Sequence, residues 1–115
     1  MRTWLPAATL LIVMSYGLSA VADLATGLSA FEDKRFTVAH RELLKAAQQE
    51  SMEAKYYLGL IYDRGLGRKE DPQAALAWFM KAAQDGHAES QRVVGIYYQE
   101  GKAVCLLYTS DAADE

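Results

Sequence analysis

The side chains that could carry out chemistry in this 115-residue chain are few and widely separated. It has two histidines, His40 and His87, and one cysteine, Cys105. Zinc sites need several histidine, cysteine or acidic ligands at short spacings, as in the His-Glu-x-x-His helix, and this motif is absent. His87 lies in an expected turn between helices, so we interpret it as structural. We therefore predict no metal site, no cofactor and no catalytic residue.

Motifs for a nucleophile or a phosphate are also missing. Ser51 is followed by lysine four residues on, at Lys55, so the Ser-x-x-Lys pattern of some hydrolases does not form. The segment 65–67, Gly-Leu-Gly, is too short for a phosphate-binding loop and follows an expected helix, so we interpret it as a turn. Three acidic residues close in sequence are expected on solvated helix surfaces, where charges are ordinary: Glu42, Glu50 and Glu53.

The segments that would position these side chains repeat at a spacing of 36 residues. Lys-Ala-Ala-Gln occurs at 45–48 and again at 81–84, and the flanking residues repeat with it. Gly59 then coincides with Gly95, and Tyr62 with Tyr98. If the tetrapeptide recurred by chance, the residues on either side of it would not match at the same spacing. Periods of 20 to 50 residues are typical of stacked structural repeats.

The spacing of apolar residues predicts five helices and no strand. Asp71-Pro72 is a start signal, because aspartate caps free N–H groups and proline suits the first helical position. Gly86 is a stop signal, since glycine readily adopts left-handed geometry. Trp78 is interpreted as a core anchor. The expected helices are 24–32, 35–49, 51–63, one from 72 to the turn at 85–87, and one from about 88, paired as antiparallel hairpins with the fifth unpaired.

Gly59 and Gly95 fall inside expected helices, where glycine costs about 1 kcal/mol relative to alanine. A glycine lets a neighbouring helix approach closely. We expect Tyr62 and Tyr98, three residues after Gly59 and Gly95, to pack over the resulting helix contacts. One hairpin alone is marginal, because ordering the chain costs roughly 1–2 kcal/mol per residue. Hairpins of this kind therefore need to stack on neighbours.

The first 22 residues are interpreted as a signal peptide. A positively charged start is followed by an uncharged apolar core at 5–14 and by small residues at Ala20 and Ala22, so cleavage is expected between Ala22 and Asp23. An uncleaved anchor is the alternative, although the apolar core is short for a membrane span of about 20 residues. We expect a bacterial periplasmic or secreted protein with no stable membrane insertion after cleavage.

The segment Cys105–Glu115 resembles the translation of a transposase-type sequencing adapter, the alternative being a natural polar tail. We therefore expect the native sequence to continue beyond Val104, with the repeat region at 23–104. Without the two end segments, eleven basic and twelve acidic residues and no cysteine remain. This balance offers no electrostatic case for nucleic acid or an anionic membrane, and the remaining residues give no basis for predicting a disulfide.

Two stretches resemble the Sel-one-like repeat, a relative of the tetratricopeptide repeat. They are Glu-Ala-Lys-Tyr-Tyr-Leu-Gly-Leu-Ile-Tyr-Asp-Arg-Gly-Leu-Gly at 53–67 and Asp-Pro-Gln-Ala-Ala-Leu-Ala-Trp-Phe-Met-Lys-Ala-Ala-Gln-Asp-Gly-His-Ala at 71–88. The resemblance covers residues 31–104 and implies an all-α fold, a right-handed α-solenoid of antiparallel helix hairpins truncated at its C-terminus. It divides the region into a partial repeat at 23–49, a full repeat at 51–86 and an incomplete one at 87–104. The chain departs from the family pattern at 68–69 and 92–93.

In stacks of this family the first helix of each hairpin lines the concave side. The resemblance therefore implies a peptide- or protein-binding face on this chain, made of Glu53, Tyr56, Leu60, Asp63, Arg64, Glu89, Arg92, Ile96 and Gln99. Tyrosine and arginine dominate interface energetics, which suits such a face, although any solvated helix offers a similar mixture. We expect a non-enzymatic exported scaffold. The alternatives are an architectural array that self-associates, for example through its uncapped C-terminal end, and a β-lactamase-like hydrolase, against which the missing cysteines and nucleophile argue.

Overall fold

The computed structural model describes residues 7–102, with side chains from residue 19 onward. These residues form five helices and no strand, which confirms the all-α prediction for this part of the chain. The predicted adapter-like tail and the first six residues of the predicted signal peptide lie outside the described residues. The helices are α1 (Ala7–Glu32), α2 (Phe36–Gln48), α3 (Met52–Arg64), α4 (Pro72–Gln84) and α5 (Ala88–Glu100).

The first helix is longer than predicted, with 26 residues instead of the nine expected at 24–32. Its earlier part is rich in alanine and leucine and contains no proline, so no residue there interrupts the helix. The predicted cleavage position, between Ala22 and Asp23, therefore lies within α1. Within the part of the chain that the structure describes, no helix is long and apolar enough to span a lipid bilayer.

Local signals explain where three of the helices begin. Ser51, Asp71 and His87 precede α3, α4 and α5, and each side chain accepts the backbone N–H three residues further on, at 3.3, 3.1 and 3.2 Å. Each bond satisfies one N–H that has no partner inside the helix. Pro72 occupies the first position of α4. The predicted start at Asp71-Pro72 and the structural interpretation of His87 are confirmed.

The connections between helices are short and tightly folded. Three of them have three residues, at 33–35, 49–51 and 85–87, and the α3–α4 loop has seven, at 65–71. Gly86 has φ 95°, as predicted for a helix-ending glycine. Glu50 has φ 68°, a left-handed conformation that is uncommon outside glycine, so it lies in a tight turn and not on a helix surface as predicted.

Within the α1–α2 and α3–α4 pairs the helices run antiparallel, because the end of the second helix returns to an earlier part of the first, at Asp23 and Lys55 respectively. Gln49, after α2, donates to Asp23 of α1 at 2.9 Å, while Phe31 near the end of α1 packs edge-on against Phe36 at the start of α2. Two buried clusters result. The first joins α1, α2 and α3 through Ala30, Ala39, Leu43, Ala46, Ala47, Ala54, Leu58 and Ile61. The second joins α4 and α5 through Ala75, Leu76, Phe79 and Tyr97, with α3 residues packed on it.

Glycines allow the first helix of each hairpin to approach the second. A Cβ at Gly59 would lie 2.5 Å from the Phe79 ring, and one at Gly27 would lie 2.8 Å from the Leu43 side chain. Real Cβ atoms do not come this close, so a side chain at Gly59 would have to displace the Phe79 ring and one at Gly27 the Leu43 side chain. The close approach predicted at Gly59 is confirmed. Gly27 was missed, because the first connection is four residues shorter and shifts it out of the 36-residue register.

At Gly95, by contrast, the predicted close contact is not formed within residues 7–102, where no atom comes within 4 Å of a Cβ built there. Tyr98, on the same side of α5, is 51% exposed and does not pack over a junction as predicted. The reason is geometric. No other described helix covers Gly95 on this side of α5, and the Tyr98 hydroxyl reaches back to Met80 Sδ of α4 at 4.0 Å.

Candidate binding face

α3 and α5 lie side by side and run in the same direction. At their starts the rings of Tyr56 and His87 are 5.0 Å apart, and at their ends Lys102 Nζ lies 3.0 Å from Asp63 Oδ1. α4 packs against both helices from behind, through Phe79. Five of the nine predicted face residues lie on α3 and four on α5. We call this surface the α3–α5 face; it consists of Glu53, Tyr56, Leu60, Asp63, Arg64, Glu89, Arg92, Ile96 and Gln99.

The face has an exposed polar part and a half-buried, mostly apolar part. The exposed side chains are Glu53, Arg64, Glu89, Arg92 and Gln99. The half-buried ones are Tyr56, Leu60, Asp63 and Ile96. Glu53 and Arg64 form no ion pair with another described residue, so their charges face solvent. This arrangement resembles the partly apolar core and polar rim of a small interface.

Tyr56 connects the face to the core beneath it. Its ring lies 5.8 Å from Phe79, 5.4 Å from Tyr57 and 5.0 Å from His87. Burial, followed by the negative charge of Glu89, raises the pKa of the Tyr56 hydroxyl, which therefore stays protonated at neutral pH. The sequence predicted an exposed aromatic ligand contact at this position. The structure shows a ring that already contributes to packing and offers only part of its surface.

Asp63 is the face residue most engaged in internal bonds. Its Oδ1 atom accepts hydrogen bonds from the Tyr97 hydroxyl and from Lys102. Burial and the hydrogen bond to Asp63 raise the pKa of Tyr97 above its usual range, so the phenol remains a donor. Lys102 also lies 5.2 Å from the centre of the Tyr97 ring. We interpret Asp63 as a residue that fixes α5 against α3, a role that apolar periodicity alone does not reveal.

Glu89 and Arg92 pair with each other on the first turns of α5. Arg92 Nε donates to Glu89 Oε1 at 3.1 Å, and this hydrogen bond lowers the pKa of Glu89. Both side chains are exposed, and such pairs contribute little to stability. The pair is therefore available to rearrange when a charged partner arrives, whereas Asp63 is not.

A buried ion pair behind the face was not predicted from the sequence. Lys55 is 7% exposed, and its Nζ atom lies 2.6 Å from Asp85 and 2.9 Å from Glu50. Burial alone would lower the pKa of Lys55, but the hydrogen bonds to Asp85 and Glu50 raise it above its usual value. The same position in the next repeat is Gln91, which donates to the Ala83 carbonyl at 3.1 Å. Both residues contact the C-terminal end of α4.

Glu42 also differs from its prediction. It was expected on a solvated helix surface, yet it is 8% exposed, since α2 turns this side toward its neighbours. Arg41 at 3.1 Å and Lys45 at 3.4 Å neutralise its carboxylate, and the hydrogen bond from Arg41 lowers its pKa. The two cations remain largely exposed, so they pair with the Glu42 carboxylate from the solvent side.

The remaining titratable groups do not assemble into a catalytic site within the described residues. His87 Nδ1 accepts the Ser90 N–H and lies 2.8 Å from the Ser90 hydroxyl, as a helix cap. Between residues 7 and 102, no three histidine, cysteine or acidic side chains converge as a metal would require. Two surface pockets, of about 300 and 440 Å³, border the α3–α4 loop, and neither includes a residue of the α3–α5 face.

No protein-family model matches the chain. A stretch of 71 residues, 61% of the chain, is 35% identical to the ERAD-associated E3 ubiquitin-protein ligase component HRD3A of Arabidopsis thaliana. The match covers 10% of that relative, so this chain spans only a small part of its length. Together with the all-helical structure, the similarity is consistent with a helical, repeat-like protein.

Proposed function

We propose that the chain is a non-catalytic scaffold that binds a protein or peptide segment along the α3–α5 face. In this proposal its hairpins are Sel-one-like repeats stacked as a right-handed α-solenoid. The observation that carries the proposal is the parallel placement of α3 and α5, with the nine predicted residues on adjacent helices and α4 behind them. Five of the nine side chains remain exposed, and the half-buried Tyr56, Leu60 and Ile96 give the face an apolar centre.

The relative supports a role in assemblies in general terms. Its name describes a component of an E3 ubiquitin-protein ligase, which is a protein that works together with others. We carry over only this property, the contact with other proteins, because the chain matches a tenth of the relative. The ligand on the α3–α5 face is therefore proposed to be a polypeptide.

Site-specific photo-crosslinking tests the face. A photoreactive amino acid is placed at Glu53 or Arg92, both exposed on the face, and at Gln73 as a control, exposed on α4. In envelope extract the face positions should capture a foreign polypeptide that Gln73 does not. Capture from Gln73 alone would move the site to another surface. Cross-links only between copies of the chain would favour the self-assembling array, and turnover of β-lactam or ester substrates would favour the hydrolase.

We further propose export to the bacterial periplasm or exterior, with cleavage between Ala22 and Asp23. The support is the sequence of the first 22 residues, with its apolar core and small residues before the cleavage position. Because this position is helical in the folded chain, cleavage must precede folding of α1 or require its local opening. N-terminal sequencing of the periplasmic protein should begin at Asp23. A product that retains Met1 and fractionates with membranes would contradict the proposal.

A further inference from the structure

Three polar side chains meet where the α3–α4 loop passes α2. His40 lies in the second turn of α2, Tyr62 in the last turn of α3, and Arg68 in the loop. The Tyr62 hydroxyl oxygen lies 3.1 Å from His40 Nε2 and accepts a hydrogen bond from Arg68 at 3.2 Å. The His40 and Tyr62 rings also pack edge-on at 5.7 Å, and the Arg68 guanidinium lies 5.1 Å from the centre of the Tyr62 ring. One phenol thus joins two helices and the loop.

The hydrogen bonds at this phenol are best satisfied by a neutral His40. A tyrosine hydroxyl has one hydrogen to donate, and a guanidinium can only donate. Since Arg68 donates to the Tyr62 oxygen, the Tyr62 hydrogen can be donated to His40 Nε2 in the neutral tautomer in which this nitrogen carries no proton. A protonated His40 would donate instead. The Tyr62 hydrogen would lose its acceptor, and two cations would share one oxygen atom.

The middle of the α3–α4 loop has few other attachments. Its ends are held by backbone bonds of 2.9 Å, from the Leu66 N–H to the Ile61 carbonyl and from the Asp71 N–H to the Tyr62 carbonyl. Residues 68–70 between these bonds are exposed. Among the described hydrogen bonds, the one from Arg68 to Tyr62 is the side-chain bond that ties this exposed stretch to a helix.

We propose that His40, Tyr62 and Arg68 form a pH-sensitive latch, in which protonation of His40 releases Arg68 and frees residues 68–70 of the α3–α4 loop. Burial, and then the charge of Arg68, lower the pKa of His40 below its usual value of 6.5. The latch is therefore closed at neutral pH and opens as the pH falls through this lowered pKa. It does not rest on the proposed function.

The other charged groups near the latch do not replace Arg68. Lys69 and Glu70 line the adjoining pocket of about 440 Å³, as does Asp71, whose carboxylate already caps α4. From α1, Asp23 bonds to Gln49 at the far end of α2, and Glu32 is exposed on the last turn. The groups that act directly on the His40 ring are thus the Tyr62 hydroxyl and the Arg68 charge.

The first test is an NMR titration of the His40 ring in the full chain. In the latch, protonation of His40 and the bond from Arg68 to Tyr62 are coupled. Protonation therefore weakens the Arg68 bond, and the Arg68 bond lowers the affinity of His40 for the proton by the same factor. Arg68→Gln removes the cation and should raise the pKa of His40 toward 6.5. Lys69→Gln, which removes the neighbouring cation, is the control and should change the pKa of His40 less than Arg68→Gln does. An identical His40 pKa in the wild type and in Arg68→Gln would overturn the latch.

The second test follows the loop itself between about pH 7.5 and 5, the range in which histidine titrates. In the wild type, the backbone amide signals of residues 68–70 should shift with the same midpoint as the His40 ring, and amide exchange there should speed up at low pH. His40→Gln keeps a neutral hydrogen-bond acceptor and should abolish both changes. Loop signals that shift equally in His40→Gln and the wild type would show that another group is responsible.

Discussion

Gly59 and Gly95 occupy the same place in two successive repeats, yet their surroundings are opposite. Gly59, in α3, is buried against the ring of Phe79, whereas Gly95, in α5, has no atom within 4 Å of a Cβ built there. The difference follows from the neighbours, because α4 covers α3 and no described helix covers the same side of α5. Identical residues can therefore be essential to packing in one repeat and neutral in the next.

The polar contacts of the two helices differ in the same way. On α3, Lys55 is buried in a pair with Asp85 and Glu50. On α5, the equivalent Gln91 is exposed and bonds to one backbone carbonyl, while Arg92 and Glu89 pair at the surface. Burial makes the first pair costly to disrupt, whereas solvent screens the second. Contrasting substitutions on α3 and α5 can measure this difference.

The largest effect is expected from removing the ring between the helices. Phe79→Ala deletes a fully buried side chain from the α3–α4–α5 junction and should lower the free energy of unfolding by about 3–5 kcal/mol. Tyr98→Ala, on the open side of α5, is the control and should have a much smaller effect. Urea denaturation followed by circular dichroism measures both. Equal losses would mean that Tyr98 is covered in solution.

Filling the glycine positions tests the comparison most directly. Gly59→Leu must displace the Phe79 ring and should cost about 1–3 kcal/mol of unfolding free energy. Gly95→Ala meets no neighbour and should stabilise the chain by roughly 0.5–1 kcal/mol, the usual gain of alanine over glycine inside a helix. Thermal and urea unfolding measure both changes. An unchanged midpoint in Gly59→Leu would contradict the close packing of α3 and α4.

A smaller effect is expected from the buried ion pair. Lys55→Met leaves Asp85 and Glu50 without their cation and should cost about 1–2 kcal/mol, less than for a fully buried pair, since both carboxylates retain contact with water. Arg92→Met breaks the exposed pair with Glu89 and should leave the urea midpoint unchanged. If both variants unfold at the same midpoint, burial does not distinguish the two pairs.

The smallest effect is a pH dependence of the same pair. The pKa of Lys55 is raised in the folded chain above its ordinary value of 10.5, so the stabilisation is complete below pH 10.5 and is lost as the pH rises through the raised pKa. The stability difference between the wild type and Lys55→Met should therefore be constant from neutral pH to about pH 10 and shrink above it. A difference that stays the same well above the raised pKa would instead assign it to packing of the lysine stem.

Much of the fold could be predicted from the sequence, because its signals are local. The start of α4 depends on Asp71 and Pro72, its end on Gly86, and the apolar stripes on the helical period, so each is decided within a few residues. The 36-residue spacing then located α3 and α5, whereas the binding role of the residues of the α3–α5 face stays a prediction. The spacing did not identify Gly27 as a close-contact position. The α1–α2 connection is shorter than the α3–α4 loop, so Gly27 does not lie 36 residues before Gly59.

The sequence by itself thus determined the order of the helices, the starts of α3, α4 and α5, and the 36-residue repetition. Only the tertiary structure decided which copies of a repeated residue are buried. Gly59 is covered and Gly95 open, Glu42 and Lys55 are buried, and His40 meets Tyr62 and Arg68. The physical reason is distance along the chain. These contacts join residues on different helices, and their formation depends on the angle and proximity at which complete helices pack, which no short stretch of sequence encodes.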